Sequence, residues 1–117
     1  MGKVEFRITA DNTEDAKKEL QNRVRRALTA IGIQAASLAK VELQKNPSRI
    51  DTGLLRNSIT HALDGEGTAI TSYSGDNPSK YTGKPAEDGK YSGSMPSEPA
   101  GRQAVYVGTN VAYSAYV

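Results

Sequence analysis

Three residues near the middle of the chain, Asp51-Thr52-Gly53, are the ones whose types and spacing most directly suggest chemistry. A carboxylate in such a triplet can take part in acid–base catalysis when a second carboxylate lies opposite it. The two groups then share one proton, because two like charges a few ångströms apart cannot both ionise. The triplet therefore raises the hypothesis of catalysis by paired carboxylates.

The sequence around the triplet favours a structural role instead. The same triplet occurs in aspartic proteases, and Val105-Tyr106-Val107-Gly108 is similar to an apolar segment of the retroviral enzymes. In those proteases the triplet follows an apolar strand, whereas here it follows the polar stretch of residues 45–49. We therefore predict a turn or capping role for Asp51-Thr52-Gly53. A retroviral-like aspartic protease is the remote alternative.

Other catalytic or metal-binding groups are sparse in this sequence. His61 is the only histidine, and in a strand it would lie on the opposite face from Ser58, so the two do not form a local dyad. The chain has no cysteine, which excludes disulfides and thiolate ligands. It also has no glycine-rich phosphate loop that ends in Lys-Ser or Lys-Thr. We expect no enzymatic activity, no cofactor, no metal and no small-molecule substrate.

The composition suits a single domain over residues 1–117. Apolar residues make up only 37% of the chain and the mean hydropathy is −0.56, so the core is expected to be small. The first residues form no apolar signal region, and no apolar run is long enough to span a bilayer. We therefore expect a soluble protein, made inside the cell, that has no membrane partner.

The N-terminal half predicts a strand followed by a long helix. Residues 3–9 alternate between polar and apolar, which is typical of a half-buried strand. Asp11 and Glu14 have the spacing of a capping box, so the helix is expected to begin at Glu14. No proline interrupts it before about Lys45, and Asn46-Pro47 is expected to end it.

The predicted helix carries one apolar stripe, whose members recur at spacings of three and four: Leu20, Val24, Ala27, Ile31, Ala35 and Leu38. A helix of this length extends roughly 45 Å at ~1.5 Å per residue, which is longer than the core of a small domain requires. We therefore expect part of the apolar stripe to face a neighbouring subunit. Gly32 is expected to weaken or bend the helix, by ~1 kcal/mol relative to alanine.

After the helix, the sequence predicts short elements. Thr52 is expected to cap a helical turn over residues 54–57. Residues 58–63 and 68–73 are expected to be strands that form a hairpin through the turn at residues 64–67.

A long segment of different composition separates these elements from the last strand. Glycine, proline and serine make up about half of residues 74–102, which predicts a long mobile loop. Three tyrosines in or beside it, Tyr73, Tyr81 and Tyr91, are expected to order on a partner. A last strand is expected over residues 103–109. The predicted fold class is α+β, with one long N-terminal helix packed on a mostly antiparallel sheet of about four strands.

Basic residues outnumber acidic ones along the helix and form a candidate electrostatic face: Lys17, Lys18, Arg23, Arg25, Arg26 and Lys40. Such a face attracts DNA phosphates or an acidic protein surface. A DNA-binding accessory protein that contacts passing duplex DNA non-specifically is therefore the alternative function. The net charge of +2 does not by itself indicate nucleic-acid binding.

Two motifs carry a resemblance to a known family. The first motif, Asp51-Thr-Gly-Leu-Leu-Arg-Asn-Ser-Ile59, follows the long helix. The second motif, Val105-Tyr-Val-Gly-Thr-Asn-Val-Ala-Tyr-Ser-Ala-Tyr-Val117, follows the long loop. With this order the chain, apart from that loop, resembles the HK-ninety-seven type family of phage head-tail joining proteins. Those proteins are neck, minor tail or tail-completion components of long-tailed double-stranded DNA phages and prophages.

The resemblance implies a structural virion protein that forms an oligomeric ring with itself and contacts other head-tail connector or tail proteins. It implies a location in the virion, and in the host bacterial cytoplasm during assembly. The residues that match the family pattern are Asp51, Thr52, Gly53, Leu55, Arg56 and Ser58 in the first motif and Val107, Gly108, Thr109, Tyr113, Ala115 and Tyr116 in the second.

Simple physical roles suit several of these matched residues. Leu55 is expected to point inward and Arg56 outward from the turn capped by Thr52. Gly108 is expected to permit a bulge or a close backbone approach. Tyr113 and Tyr116, three residues apart, would share one face of a terminal helix. Such residues build surfaces rather than a reaction centre.

Overall fold

A computed structural model describes residues 10–46 and 50–116, and this part of the chain is an α+β domain dominated by one helix. Helix α1 spans Ala10–Gln44 and helix α2 spans Leu54–Ser58. The described residues contain four short strands: β1 (Thr60–Leu63), β2 (Ser72–Ser74), β3 (Asp88–Lys90) and β4 (Val105–Gly108). A 3-10 helix spans Ala112–Tyr116. The predicted α+β class is confirmed, and the strand predicted over residues 3–9 lies outside the described residues.

Helix α1 begins earlier than the sequence predicted. Residues 11–13 lie within the helix, so the predicted start at Glu14 was wrong. The predicted cap contacts of Asp11 lie outside the described side chains. The helix ends at Gln44, and the amide of Lys45 donates to the carbonyl of Val41 (3.1 Å) in the turn that follows. This end agrees with the one expected before Pro47.

The four described strands pair as two separate antiparallel sheets. Strand β1 pairs with β4, and β2 pairs with β3. The predicted hairpin between residues 58–63 and 68–73 was therefore wrong. The predicted strand over residues 103–109 is confirmed by β4. The long loop also contains β3, which its composition did not indicate, whereas the mobility of residues 74–102 stays a prediction.

The turn at residues 64–67 forms even though the predicted hairpin does not. Gly65 has a φ of 73° and the amide of Glu66 donates to the carbonyl of Leu63 (3.1 Å). Beyond the turn, the amide of Ala69 donates to the carbonyl of His61 (3.0 Å). The chain then leaves β1, and β2 pairs with β3, while β4 pairs with the other edge of β1.

Small residues allow α1 to pack closely on the β1–β4 sheet. A Cβ added to Gly32 would lie 2.7 Å from Cγ2 of Val105 and 3.0 Å from Cβ of His61. Gly32 and Ala36 are buried in this contact. Helix α1 runs through Gly32 without a break, and a bend or weakening at Gly32 stays a prediction. Glycine is required here because a side chain would separate the helix from the sheet.

The apolar stripe predicted from the sequence lies beside the face of α1 that packs on the sheet, and not on it. Its large members are exposed: Leu20 by 63%, Val24 by 38%, Ile31 by 57% and Leu38 by 57%. Because consecutive helical residues are about 100° apart, Ile31 and Gly32 point in very different directions. Helix α1 therefore has a buried face of small residues and a separate exposed stripe of large apolar residues.

The domain is elongated. Its radius of gyration is 21.0 Å, whereas a compact domain of this size has about 13 Å. Residues 14–24 of α1 are all exposed, so the N-terminal part of the helix projects beyond the sheet. The small buried core lies at the other end, where Leu54, Leu55 and Val111 pack together.

Candidate functional site

The two sequence motifs meet at a pair of hydroxyl groups. Ser58 is 0% exposed, and its Oγ lies 2.5 Å from Oγ1 of Thr109. The Ser58 hydroxyl donates its one proton to the carbonyl of Leu55 (2.6 Å), so Thr109 is the donor within the pair. Thr109 Oγ1 accepts in turn from the amide of Val111 (3.1 Å). A directed chain of hydrogen bonds therefore runs from the second motif into the first.

The first motif also holds the beginning of the long loop. Oδ2 of Asp51 accepts from the hydroxyl of Ser79 (2.5 Å), and Oδ1 accepts from the amide of Lys80 (2.7 Å). The carbonyl of Thr52 accepts from the amide of Asp76 (2.6 Å). The Asp51 carboxylate is thus engaged in a structural network on both oxygens, which agrees with the turn role predicted for the triplet.

Thr52 and Gly53 shape the start of α2. Gly53 is the N-cap of α2 and provides no side-chain cap, so the predicted cap at Thr52 was wrong. One residue earlier, Oγ1 of Thr52 accepts from the amide of Leu54 (3.2 Å). Gly53 has a φ of 83°, a left-handed conformation that strains residues with a Cβ. A Cβ there would also lie 2.8 Å from Oδ2 of Asp76. Leu55 points inward as predicted and is 8% exposed.

Arg56 and Asn57 bind the same loop residue. The guanidinium of Arg56 forms an ion pair with the carboxylate of Asp76. Nδ2 of Asn57 donates to Oδ1 of Asp76 (3.1 Å) and to the carbonyl of Ser74 (2.8 Å). The expectation that Arg56 simply points outward is corrected, because this contact leaves its side chain only 24% exposed.

Two tyrosines, not assigned to the site from the sequence, complete the junction. The hydroxyl of Tyr91 donates to the carbonyl of Ser58, and that of Tyr73 donates to Oδ1 of Asn110 (2.5 Å). Their ring centroids are 5.4 Å apart. Burial raises the pKa of Tyr73, and the nearby hydroxyls of Tyr91 and Tyr113 raise it further. Tyr73 and Tyr91 therefore bind groups of their own chain.

Two other residues of the second motif lie at the surface. Val107 is 40% exposed and Tyr113 is 43% exposed. A Cβ on Gly108 would meet nothing within 4 Å, so the predicted close approach at Gly108 was wrong. The side chains of Ala115 and Tyr116 lie outside the described ones, and a shared face for Tyr113 and Tyr116 stays a prediction.

A cavity of about 490 Å³ adjoins the first motif and is lined by residues that include Asp51, Ser79, Lys84 and Tyr113. Its lining has no histidine, and its Asp51 carboxylate already accepts two hydrogen bonds. Within residues 10–46 and 50–116, no group of three potential ligands could hold a metal ion. None of the helices in this described part is long and apolar enough to cross a membrane.

Acidic residues contact half of the candidate electrostatic face. Lys17 lies 3.8 Å from Glu14 and Arg23 lies 2.7 Å from Glu19. Arg25 bridges Asp64 (3.2 Å) and Glu66 (2.8 Å), and its hydrogen bond to Glu66 is the main cause that raises the pKa of its guanidinium. The described residues provide no acidic partner for Lys18, Arg26 or Lys40. The face therefore attracts phosphates less strongly than its composition suggests.

Comparisons of the chain with protein-family models, with curated proteins and with solved structures found no match.

Proposed function

We propose that this chain is a structural subunit of an oligomeric ring at the junction between the head and the tail of a tailed double-stranded DNA phage or prophage. The order of the two motifs supports the phage assignment. The observation that carries the ring assignment is the exposed apolar stripe, in which Leu20, Ile31 and Leu38 are each more than half exposed. Large apolar patches on a protein surface mark contacts with partners.

The junction between the two motifs supports a structural role. Asp51, Arg56 and Asn57 hold the long loop, while Ser58 holds the second motif. These contacts use the polar groups of the first motif to fix chain segments relative to one another. A subunit of a closed ring needs such fixed surfaces, because its two contact faces must keep a constant angle.

The alternative is a DNA-binding accessory protein that uses the basic face of α1. Lys17, Arg23 and Arg25 each have an acidic partner, which reduces the positive field that DNA would meet. The ring assignment is therefore favoured.

The oligomeric state tests the proposal. We expect the chain to form a closed ring, alone at high concentration or with its head or tail partner, as measured by sedimentation and electron microscopy. Ile31→Glu places a charge in the apolar stripe and should dissociate the ring. Ile33→Glu is the matched control, because Ile33 is 52% exposed but lies about 200° round the helix from Ile31.

Two results would contradict the ring proposal. The first is a monomer both alone and with the partner. The second is equal dissociation by Ile31→Glu and Ile33→Glu, which would show that the apolar stripe has no specific role in ring assembly. Salt-sensitive binding of duplex DNA by a monomer would favour the DNA-binding alternative.

A further inference from the structure

Strand β4 has an outer edge whose backbone groups point away from β1. In an antiparallel pair, successive residues direct their backbone groups alternately toward and away from the partner strand. The amide of Asp64 donates to the carbonyl of Ala104 (3.0 Å), which identifies Ala104 and Tyr106 as residues that bond to β1. The amides and carbonyls of Val105 and Val107 therefore point to the outer edge.

The described residues leave this edge open. The backbone groups of Val105 and Val107 have no hydrogen-bond partner within residues 10–46 and 50–116. Val107 is 40% exposed. The sequence of β4 also has no proline or charged residue, which are features that protect edge strands from pairing with other chains. A further strand can therefore add to β4.

The exposed apolar stripe of α1 lies on the β4 side of the domain. Leu20 and Val24 line one groove together with residues 101–103, which lead into β4. The opposite flank of the helix, at Thr29, faces β1. A strand added to β4 at the usual spacing of about 4.8 Å would therefore lie beneath the apolar stripe.

The chain contains a segment whose pattern fits this position. Val4, Phe6 and Ile8 alternate with charged residues, so a strand over Val4–Ile8 has one apolar face and one charged face. Next to β4, the apolar face can cover the apolar stripe while the charged face stays in water.

The length of α1 prevents this segment from reaching the β4 edge of its own copy. The helix is continuous from Ala10, and Gly32 lies over Val105. The helix extends about 33 Å between Ala10 and Gly32 at ~1.5 Å per residue. Val4 precedes Ala10 by six residues, and six residues span at most about 22 Å when fully extended. The segment can therefore pair only with the β4 edge of another copy.

We propose that the segment Val4–Ile8 of one copy adds as a strand to the outer edge of β4 in a neighbouring copy and covers the apolar stripe of that neighbour. This inference rests on the proposed ring and names the contact that builds it. Each subunit would give its segment to the next subunit and receive one from the previous subunit. That head-to-tail arrangement is the one that closes a cyclic ring.

Because the chain has no cysteine, disulfide cross-linking can test the contact. A chain carrying Phe6→Cys is mixed with an isotope-labelled chain carrying Val107→Cys and then oxidised. Facing side chains of adjacent strands have Cβ atoms about 4.5–5.5 Å apart, close to the separation that a disulfide needs. We expect the mixed disulfide to form at least tenfold faster than with the matched control Lys90→Cys, an exposed position in β3.

Other cross-linking results would overturn the inference. Faster formation of the Val107→Cys homodimer would show that two β4 edges pair directly. An intrachain disulfide in a dilute double variant would show that the segment reaches its own β4. Rings that form without the mixed disulfide would overturn the proposed contact and leave the proposed function intact. A monomer under all conditions would overturn both the contact and the proposed function.

A pair of single substitutions provides a second measurement. Phe6→Glu places a charge on the apolar face of the segment and should weaken association at least tenfold. Arg7→Glu is the control on the charged face and should change association less than threefold. Equal effects from the two substitutions would overturn the inference.

Discussion

The hydroxyl oxygens of Ser58 and Thr109 lie 2.5 Å apart, although the two residues are 51 positions apart in the sequence. The hydrogen-bond chain through them begins at the amide of Val111 and ends at the carbonyl of Leu55. In a buried setting each bond of such a chain polarises the next one. This contact makes the two motifs one structural unit.

Ser58→Ala should lower the free energy of unfolding by about 1–3 kcal/mol, because Thr109 and the carbonyl of Leu55 lose a buried partner. Urea denaturation measures the change, and Ser94→Ala at an exposed position should change stability by less than about 0.5 kcal/mol. Combining Ser58→Ala with Thr109→Val should cost less than the sum of the single changes. Strict additivity would show that the two hydroxyls do not act together.

Gly32→Ala should destabilise the protein, although alanine ordinarily stabilises a helix by up to about 1 kcal/mol relative to glycine. The added methyl group would lie 2.7 Å from Cγ2 of Val105, so we expect a net loss of about 1–3 kcal/mol. Thermal unfolding measures this loss. Val105→Ala in the same chain removes Cγ2 and should recover part of it, whereas a stabilised Gly32→Ala protein would contradict the close packing.

Asp51→Asn should leave the protein folded with a loss of about 1 kcal/mol, because the new amide nitrogen cannot accept one of the two bonds from Ser79 and Lys80. Neither form should cleave peptides at acid pH, and both should support tail joining in an assembly assay. Cleavage by the unmodified chain that disappears in Asp51→Asn would establish the protease alternative.

Stability should fall at alkaline pH partly through Tyr73. Its pKa in the folded chain is raised above the ordinary value of 10.0, so the folded state holds this proton more tightly than the unfolded state. The resulting stability is present below about pH 10 and is lost as the pH rises through the folded-state pKa. Tyr73→Phe should therefore show a shallower alkaline decline in the free energy of unfolding.

Tyr81→Phe is the control for this pH experiment, since Tyr81 is 73% exposed. Its alkaline decline should match that of the unmodified protein. Parallel curves for all three proteins would show that burial of Tyr73 does not contribute.

Limited proteolysis should cut the long loop first, at positions between the residues that bind the loop to the rest of the domain. Lys84 and Arg102 are exposed, whereas Lys90 lies in β3 and its carbonyl accepts from Nδ2 of Asn110 (2.9 Å). Trypsin should therefore cleave after Arg102 before it cleaves after Lys90, and it should not cleave after Lys84 because Pro85 follows that residue. Uniformly strong amide protection across residues 74–102 would contradict the predicted mobility.

Short sequence patterns predicted the elements that depend mainly on neighbouring residues. The turn expected at residues 54–57 is α2, and the strand expected at residues 103–109 contains β4. Strand β3 was missed because Asp88-Gly89-Lys90 has low strand propensity. It forms because Gly89 leaves room for the ring of Tyr73, with which an added Cβ would collide.

The contacts that depend on distant residues could not be read from the sequence. Periodicity identified the apolar stripe, but small residues such as Gly32 and Ala36 form the face that packs on the sheet. Such residues give a weak apolar signal even though they allow the closest approach. The pairing of β1 with β4 and the contact between Ser58 and Thr109 likewise join segments far apart in the chain.

The projection of α1 makes the helix a lever arm. About 33 Å of helix separates Gly32 from Ala10, so a tilt of about 5° at the sheet moves Ala10 by about 3 Å. Arg25 bridges Asp64 and Glu66 near the base of this arm and resists such a tilt. In a ring of these subunits, a small change in the ion pairs of Arg25 would change the ring diameter at the helix tips far more than at the sheets.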